Sequence, residues 1–168
     1  MKVFVFGSTG MLGRYLCSYL KNNNFHNLSV VALSRDELDL SKASEKGIKN
    51  ILLKYNISHN DVVINSAGII NVVVDVVGKK ITEQINSKFP HMLSNVCQEL
   101  NVKMIHITTD CVFSGKSGNY DENDIHDCYD IYGKTKSQGE PKNCCVIRTS
   151  IIGEELNHKQ LVKEKYYN

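Results

Sequence analysis

Three glycines spaced three apart, Gly7-x-x-Gly10-x-x-Gly13, stand directly after the apolar run Lys2–Phe6 and directly before a helical pattern. This feature constrains the fold more than any other in the chain. A strand that ends in glycine can turn sharply and bring its backbone close to a ligand. The helix that follows then offers unpaired N–H groups and a partial positive charge. Between a strand and a helix the motif reads as the phosphate-facing turn of a dinucleotide-binding unit. The alternative is a tight strand–helix turn that holds no ligand.

The remaining pattern extends this start. Met11, Leu12, Tyr15, Leu16, Tyr19 and Leu20 recur at helical spacing, and Asn22-Asn23-Asn24 ends the helix. Ser29–Leu33, Asp61–Asn65, Lys103–Thr108 and Cys144–Arg148 read as further strands. Ser41–Tyr55, Ile81–Leu100 and Tyr132–Glu140 carry helical patterns, with a kink expected at Pro90. The valine-rich stretch Ile69–Gly78 fits strand, loop or helix. Strand and helix therefore alternate from end to end, which predicts an α/β, Rossmann-like, doubly wound parallel sheet with helices on both faces. Gly115–Asp130 is the one long irregular segment. It follows a strand's carboxyl end, where open α/β sheets bind ligands.

A chain of 168 residues suits one domain, here a dinucleotide-binding unit over residues 1–153 followed by a polar tail, 154–168. The net charge of +2 is dispersed, so neither nucleic acid nor a membrane surface is an expected partner. No stretch approaches the ~20 apolar residues of a membrane span, and no signal peptide precedes Lys2–Phe6. Six cysteines lack metal-ligand spacing and read as reduced thiols of a cytoplasmic protein. The six histidines form no ligating cluster, so no metal is expected.

Ser34 and Arg35 follow the second strand, where an acidic residue would bind the ribose 2′-hydroxyl of NAD. A hydroxyl and a guanidinium suit a 2′-phosphate instead. NADP(H) is therefore the expected cofactor, with NAD(H) kept open by the adjacent Asp36.

Tyr132 and Lys136 give the unit its expected chemistry. About one Tyr-x-x-x-Lys pair is expected by chance in such a chain, so the pair alone says little. Residues four apart share a helix face. A lysine cation within ~4–6 Å stabilises phenolate and lowers the tyrosine pKa from its ordinary value near 10. Such a tyrosine can protonate the alkoxide left by hydride addition to a ketone. Thr109, at a strand's carboxyl end, could polarise that ketone; alternatively its hydroxyl caps the local backbone.

The motifs GSTGMLG (7–13), LDLS (38–41), DVVINSAG (61–68), ITTDCVFSG (107–115), NYDEND (119–124), YGKTKSQGE (132–140) and VIRTS (146–150) occur in order and span nearly the whole chain. Together they resemble the extended short-chain dehydrogenase/reductases, and within them the dTDP-4-dehydrorhamnose reductase group. The resemblance implies Tyr132 as proton donor, Lys136 as its partner and Thr109 as the third catalytic group. It also implies a cofactor site formed by Gly7, Thr9, Gly10, Met11, Leu12, Gly13, Asp39, Leu40, Ser66, Ala67 and Gly68. The reaction implied is reduction of a 4-keto group on a nucleotide-linked deoxysugar, serving polysaccharide synthesis. A homodimer is compatible with the resemblance.

Departures sharpen this picture. Cys111 stands where the reductases carry Tyr and the related dehydratases carry Glu, so no second carboxylate is present for dehydration. Ile151 replaces a substrate-contacting Trp. Family members continue for about another hundred residues, so the substrate-binding region is expected to be missing or truncated. A non-catalytic dinucleotide-binding subunit and a sugar-nucleotide epimerase are the competing functions.

Overall fold

The computed structural model describes residues 1–23 and 25–150. The expectations placed on Asn24, on Ile151 and on the tail lie outside the described residues. Five strands, β1 (Lys2–Phe6), β2 (Ser29–Leu33), β3 (Val62–Asn65), β4 (Lys103–Thr108) and β5 (Cys145–Arg148), form one sheet in the order β2-β1-β3-β4-β5. Every neighbouring pair is parallel, as the alternation of strand and helix requires. The chain leaves β1 in one direction and β3 in the other. Their carboxyl ends therefore flank the crevice in which such sheets bind ligands.

Two-residue periodicity divides the strands between two apolar layers. Phe4, Phe6, Val63 and Met104 join Ile48, Ile51 and Leu52 of α2 (Glu45–Lys54) in the main cluster. Phe89 and Leu93 of α5 (Phe89–Glu99) complete it, and Phe6 meets Phe89 edge to face at 5.5 Å. Val3, Val5 and Ile64 face the other way, against Leu16, Cys17 and Leu20 of α1 (Met11–Asn22). Each fully buried Leu, Ile or Phe contributes about 1.5–3 kcal/mol by leaving water. On this second face the helical residues in the cluster all come from α1. Ile147, the register partner of Ile107, stays exposed.

Several element boundaries depart from the sequence reading. The pattern over Ser41–Tyr55 divides into a 3₁₀ turn, Leu40–Lys42, and α2. Ser44 accepts the Gly47 N–H at 3.2 Å, and this cap sets the start of α2. The ambiguous Ile69–Gly78 stretch resolves as a helix, α3 (Asn71–Val77), of which only Val74 is buried. Gly78, at φ +82°, ends it and donates its N–H to Val74 O at 2.8 Å. An extended valine run would need a strand to pair with, and among the described residues the five strands pair only with one another.

The long helix over Ile81–Leu100 begins two residues earlier and contains a π turn. It runs as α4 (Lys79–Glu83), a wide turn Gln84–Lys88, and α5. Pro90 has no N–H to give Asn86 O, its partner four residues back, so the widened turn is the physical form of the expected kink. Here α6 (Ile131–Gln138) is packed in. A Cβ placed on Gly139, its C-cap, would lie 1.8 Å from Asn86 O. Gly139→Ala should therefore lower the unfolding free energy in a urea titration by about 1–3 kcal/mol. A loss below about 0.5 kcal/mol would show that the two helices can separate freely.

Candidate active site

The floor of the crevice is built by backbone contact. Gly7 has φ +78°, and a Cβ there would stand 2.6 Å from Ala67 N. A Cβ on Gly13 would lie 2.1 Å from Gly7 O. Both positions are thus closed to any side chain, and the loop from β1, α1 and the Ser66–Gly68 turn after β3 are held together. Gly10 differs: its φ is −72°, and a Cβ there would meet only Gly7 O at 3.4 Å. Neither fold nor conformation demands glycine at 10, so its bareness favours a close approach from outside. Gly10 is the N-cap of α1 and supplies no side-chain hydrogen bond, and the first turn of α1 holds no acidic residue. The N–H groups around Met11 and Leu12 therefore face a site suited to an anion. Thr9 is exposed at its edge.

The Ser66–Gly68 turn is fixed by buried polar groups that the sequence reading did not single out. Ser66 Oγ donates to Phe6 O at 2.7 Å. Asn65 Oδ1 accepts the Ala67 N–H at 3.1 Å, and its Nδ2 lies 3.1 Å from His106 Nδ1 on β4. Burial pushes the His106 imidazole down to about 3, so it stays neutral and accepts the Asn65 amide. Asn86, in the π turn, accepts the Ile69 N–H at 2.7 Å and donates to Ile69 O at 2.9 Å. It also reaches Thr135 Oγ1 of α6 at 3.3 Å, while Ser87 Oγ donates to Thr135 O at 2.8 Å. Two signals were present in the sequence: polar residues on the apolar side of a helical pattern, and Pro90 four positions beyond Asn86.

α6 carries Tyr132 and Lys136, the two residues expected to act as proton donor and partner. Asp130 caps it by accepting the Gly133 N–H at 2.8 Å, which puts half-buried Tyr132 in the first turn and Lys136 one turn on. Lys136 is only 5% exposed, and a Cβ on Gly68 would lie 3.5 Å from its Nζ. Its hydrogen bond to Ile107 O is long, at 3.4 Å, and an ammonium has three protons to give. Burial lowers its pKa to about 8, with the Glu140 carboxylate acting in the opposite direction. Thr109 is buried beside the same helix. A Cβ on Gly133 would meet Cys111 O at 2.5 Å, so the turn after β4 lies against the residue next to Tyr132. Thr109 Oγ1 accepts the Cys111 N–H at 3.1 Å and donates to Asp110 Oδ1 at 3.3 Å. The capping role is therefore realised here, and polarising a ketone would require the hydroxyl proton to swing away from Asp110.

The second strand's end holds a feature absent from the sequence reading. Ser34 N–H and Oγ–H both bond to Glu37 Oε2, at 2.9 and 2.7 Å, whereas Arg35 is exposed. Asp39 caps the 3₁₀ turn by accepting Ser41 N–H and Oγ–H at 3.0 and 2.7 Å. Leu40 packs against the main apolar cluster. Both residues expected to line the cofactor site thus have local structural tasks.

Beyond Thr109 a cleft of about 870 Å³ opens between the long loop and β5, lined in part by Asp110, Cys111, Tyr120, Glu122 and Arg148. Despite its composition the loop is tied down. Phe113 stacks on Tyr120 at 4.5 Å, and His126 Nδ1 lies 2.7 Å from Ser137 Oγ of α6. Arg148 of β5 forks onto Glu140 at 3.0 and 2.8 Å and stands 5.4 Å over Phe113.

The family model described as RmlD substrate binding domain matches residues 1–164. The chain belongs to that family. It is 32% identical over 160 residues to the spore coat polysaccharide biosynthesis protein SpsK of Bacillus subtilis, covering 90% of this chain and 53% of the relative. It is 30% identical over 166 residues to a dTDP-4-dehydrorhamnose reductase of Aggregatibacter actinomycetemcomitans, covering 94% of this chain and 54% of the relative. Among solved structures, a dTDP-4-dehydrorhamnose reductase from Bacillus anthracis in complex with NADP superposes with a TM-score of 0.69 at 22% identity. That match covers 82% of this chain and 47% of the other, and it shows the fold. This RmlD-family chain spans about half the length of the relatives it matches. No helix among the described residues is long and apolar enough to cross a membrane.

Burial of Lys136 has a consequence for stability. Its pKa is about 8 in the fold, against about 10.4 for a free lysine, so between those values the unfolded chain binds more protons. The folded state therefore gains stability as pH rises from about 8 to about 10.4. Relative to Lys136→Met, the unfolding free energy of the native chain should increase over that window by up to about 3 kcal/mol. Urea titrations at a series of pH values measure the difference. A flat difference would mean that Lys136 is solvated.

Proposed function

We propose that this RmlD-family protein reduces the 4-keto group of a nucleotide-linked 6-deoxysugar with NAD(P)H, in the manner named for its dTDP-4-dehydrorhamnose reductase relative. The observation that carries the reading is the meeting of Lys136 Nζ with Gly68 at the dinucleotide crevice. It supports a reading in which a nicotinamide ring would lie beside the Tyr132–Lys136 helix. The glycine floor fits such a cofactor: Gly7 and Gly13 close the turn, and Gly10 leaves its outer side open. Arg35 suits a 2′-phosphate and the Glu37 carboxylate a ribose 2′-hydroxyl, so both NADP(H) and NAD(H) find a partner at the β2 end.

Held by the glycine loop and the Ser66–Gly68 turn, a reduced nicotinamide cofactor would supply the hydride for the ketone carbon. Tyr132 then gives its phenolic proton to the alkoxide oxygen, and the Lys136 ammonium stabilises the phenolate left behind. The same ammonium has protons left over for a ribose hydroxyl. Thr109 orients the ketone by turning its hydroxyl from Asp110. Cys111, exposed at the edge of the cleft, offers no carboxylate for dehydration chemistry. The cleft beyond Thr109 receives the sugar. Residues 1–153 act as the cofactor-binding unit of an enzyme of polysaccharide synthesis in the cytoplasm, and self-association into a homodimer is compatible with this role.

Tyr132→Phe should cut NAD(P)H-dependent reduction of a dTDP-4-keto-6-deoxysugar by about a hundred- to ten-thousandfold. Cofactor affinity, measured by fluorescence titration, should stay within about twofold of the native value. If affinity collapses together with turnover, Tyr132 is structural and the assignment is wrong.

A further inference from the structure

The turn after β2 is joined directly to the glycine loop. Ser8 Oγ donates to Leu33 O at 2.9 Å, so Ser34 begins next to the residues that would hold the pyrophosphate. A 2′-phosphate at this place needs donors, and the sequence offers Ser34 and Arg35. In the structure both Ser34 donors are already given to one oxygen, Glu37 Oε2. Ser34 Oγ also accepts the Asp36 N–H at 3.2 Å. Those hydrogen bonds, from the Ser34 hydroxyl first and its N–H second, hold the Glu37 carboxyl below its ordinary pKa and therefore ionised. Both bonds fall on Oε2, which leaves the lone pairs of Oε1 for another donor. Lys54 acts weakly on Glu37 through charge, while Asp39 is engaged by Ser41 and is acted on by Lys42 and Arg35.

We infer that Glu37 sets the choice between NAD(H) and NADP(H), its carboxylate accepting the adenosine ribose 2′-hydroxyl and opposing a 2′-phosphate. The inference rests on the dinucleotide-binding reading above. It places the acidic group of NAD-binding sheets not at the residue that ends β2 but three residues beyond Ser34, folded back by the turn. A ribose hydroxyl adds one donor to the free oxygen. A 2′-phosphate brings two negative charges against an ionised carboxylate and finds Ser34 engaged. Arg35, exposed in the same turn, is the group that would favour the phosphate.

The rival explanation is purely structural. Ser34-x-x-Glu37 has the form of a capping box, a reciprocal pair that satisfies backbone N–H groups where a turn begins. Charge and capping can be separated. Glu37→Gln keeps a carbonyl oxygen for the Ser34 N–H and removes the charge. The test is titration of the 168-residue chain with NADH and with NADPH by nicotinamide fluorescence, alongside thermal unfolding. The native chain should bind NADH at least as tightly as NADPH. In Glu37→Gln the ratio of the NADPH to the NADH dissociation constant should fall about tenfold, with the thermal midpoint little changed. A lower midpoint with an unaltered ratio overturns the inference in favour of capping. So does a strong NADPH preference in the native chain, which decides the matter even if the variant fails to fold. Failure of both cofactors to bind the native chain overturns the inference together with the dinucleotide reading, a pattern distinct from either of the others.

Discussion

Gly7 lies with its backbone against that of Ala67, in a conformation that side-chain-bearing residues rarely adopt. This contact is the constraint on which the carboxyl side of the sheet depends. β1 and β3 are neighbours, but the chain leaves them in opposite directions, so the ground between their ends stays open unless something closes it. Gly7 and Gly13 close it from one side by letting three backbone segments touch. Asn65 and Asn86 close it from the other by hydrogen-bonding the turn at Ala67 and Ile69. A buried amide left unpaired would cost about 1–3 kcal/mol, so these side chains hold the turn in one form. Lys136 then stands beside Gly68, with Ile107 O as a long hydrogen-bond acceptor. Position is supplied by packing, and packing is what lowers its pKa.

The electrostatics follow the same logic of enclosure. Lys136 is buried and remains largely protonated at neutral pH, which makes it a cation in a medium that screens it weakly. His106, close behind it, is kept neutral. A second charge at that point would repel the first, and burial together with the Lys136 cation prevents it. At the end of β2 the Ser34 N–H and hydroxyl instead hold one carboxylate, that of Glu37. The proposed site thus runs from the Lys136 cation to the Glu37 carboxylate at the end of β2.

Much of this was legible in the sequence, because the signals were local. The parallel sheet followed from apolar runs alternating with helical spacing, and all five strands fall within one residue of their expected ends. Tyr132, Lys136 and the glycine loop were recognisable from spacing and context. What could not be read was long-range. The valines of Asn71–Val77 favour strand by propensity, and only the absence of a pairing partner makes them helix. Glu37 looks like a surface residue until the turn brings it back on Ser34. Asn86 looks like a polar intrusion in a helix until Ile69 and Thr135 are seen to meet there. The long loop read as irregular, which it is, but the stack of Phe113 on Tyr120 and the Arg148–Glu140 fork are contacts between distant segments.

The central claim is that one crevice brings hydride and proton to the same carbonyl. It is tested most directly by isotope transfer: the protein is given a dTDP-4-keto-6-deoxysugar with NADH or NADPH deuterated at the transferable position of nicotinamide C4. The sugar product is then analysed by mass spectrometry. The account predicts one deuterium on the former carbonyl carbon and oxidation of an equal amount of cofactor. Tight cofactor binding with no deuterium in the sugar would contradict it, and would leave the protein a dinucleotide-binding subunit rather than a reductase.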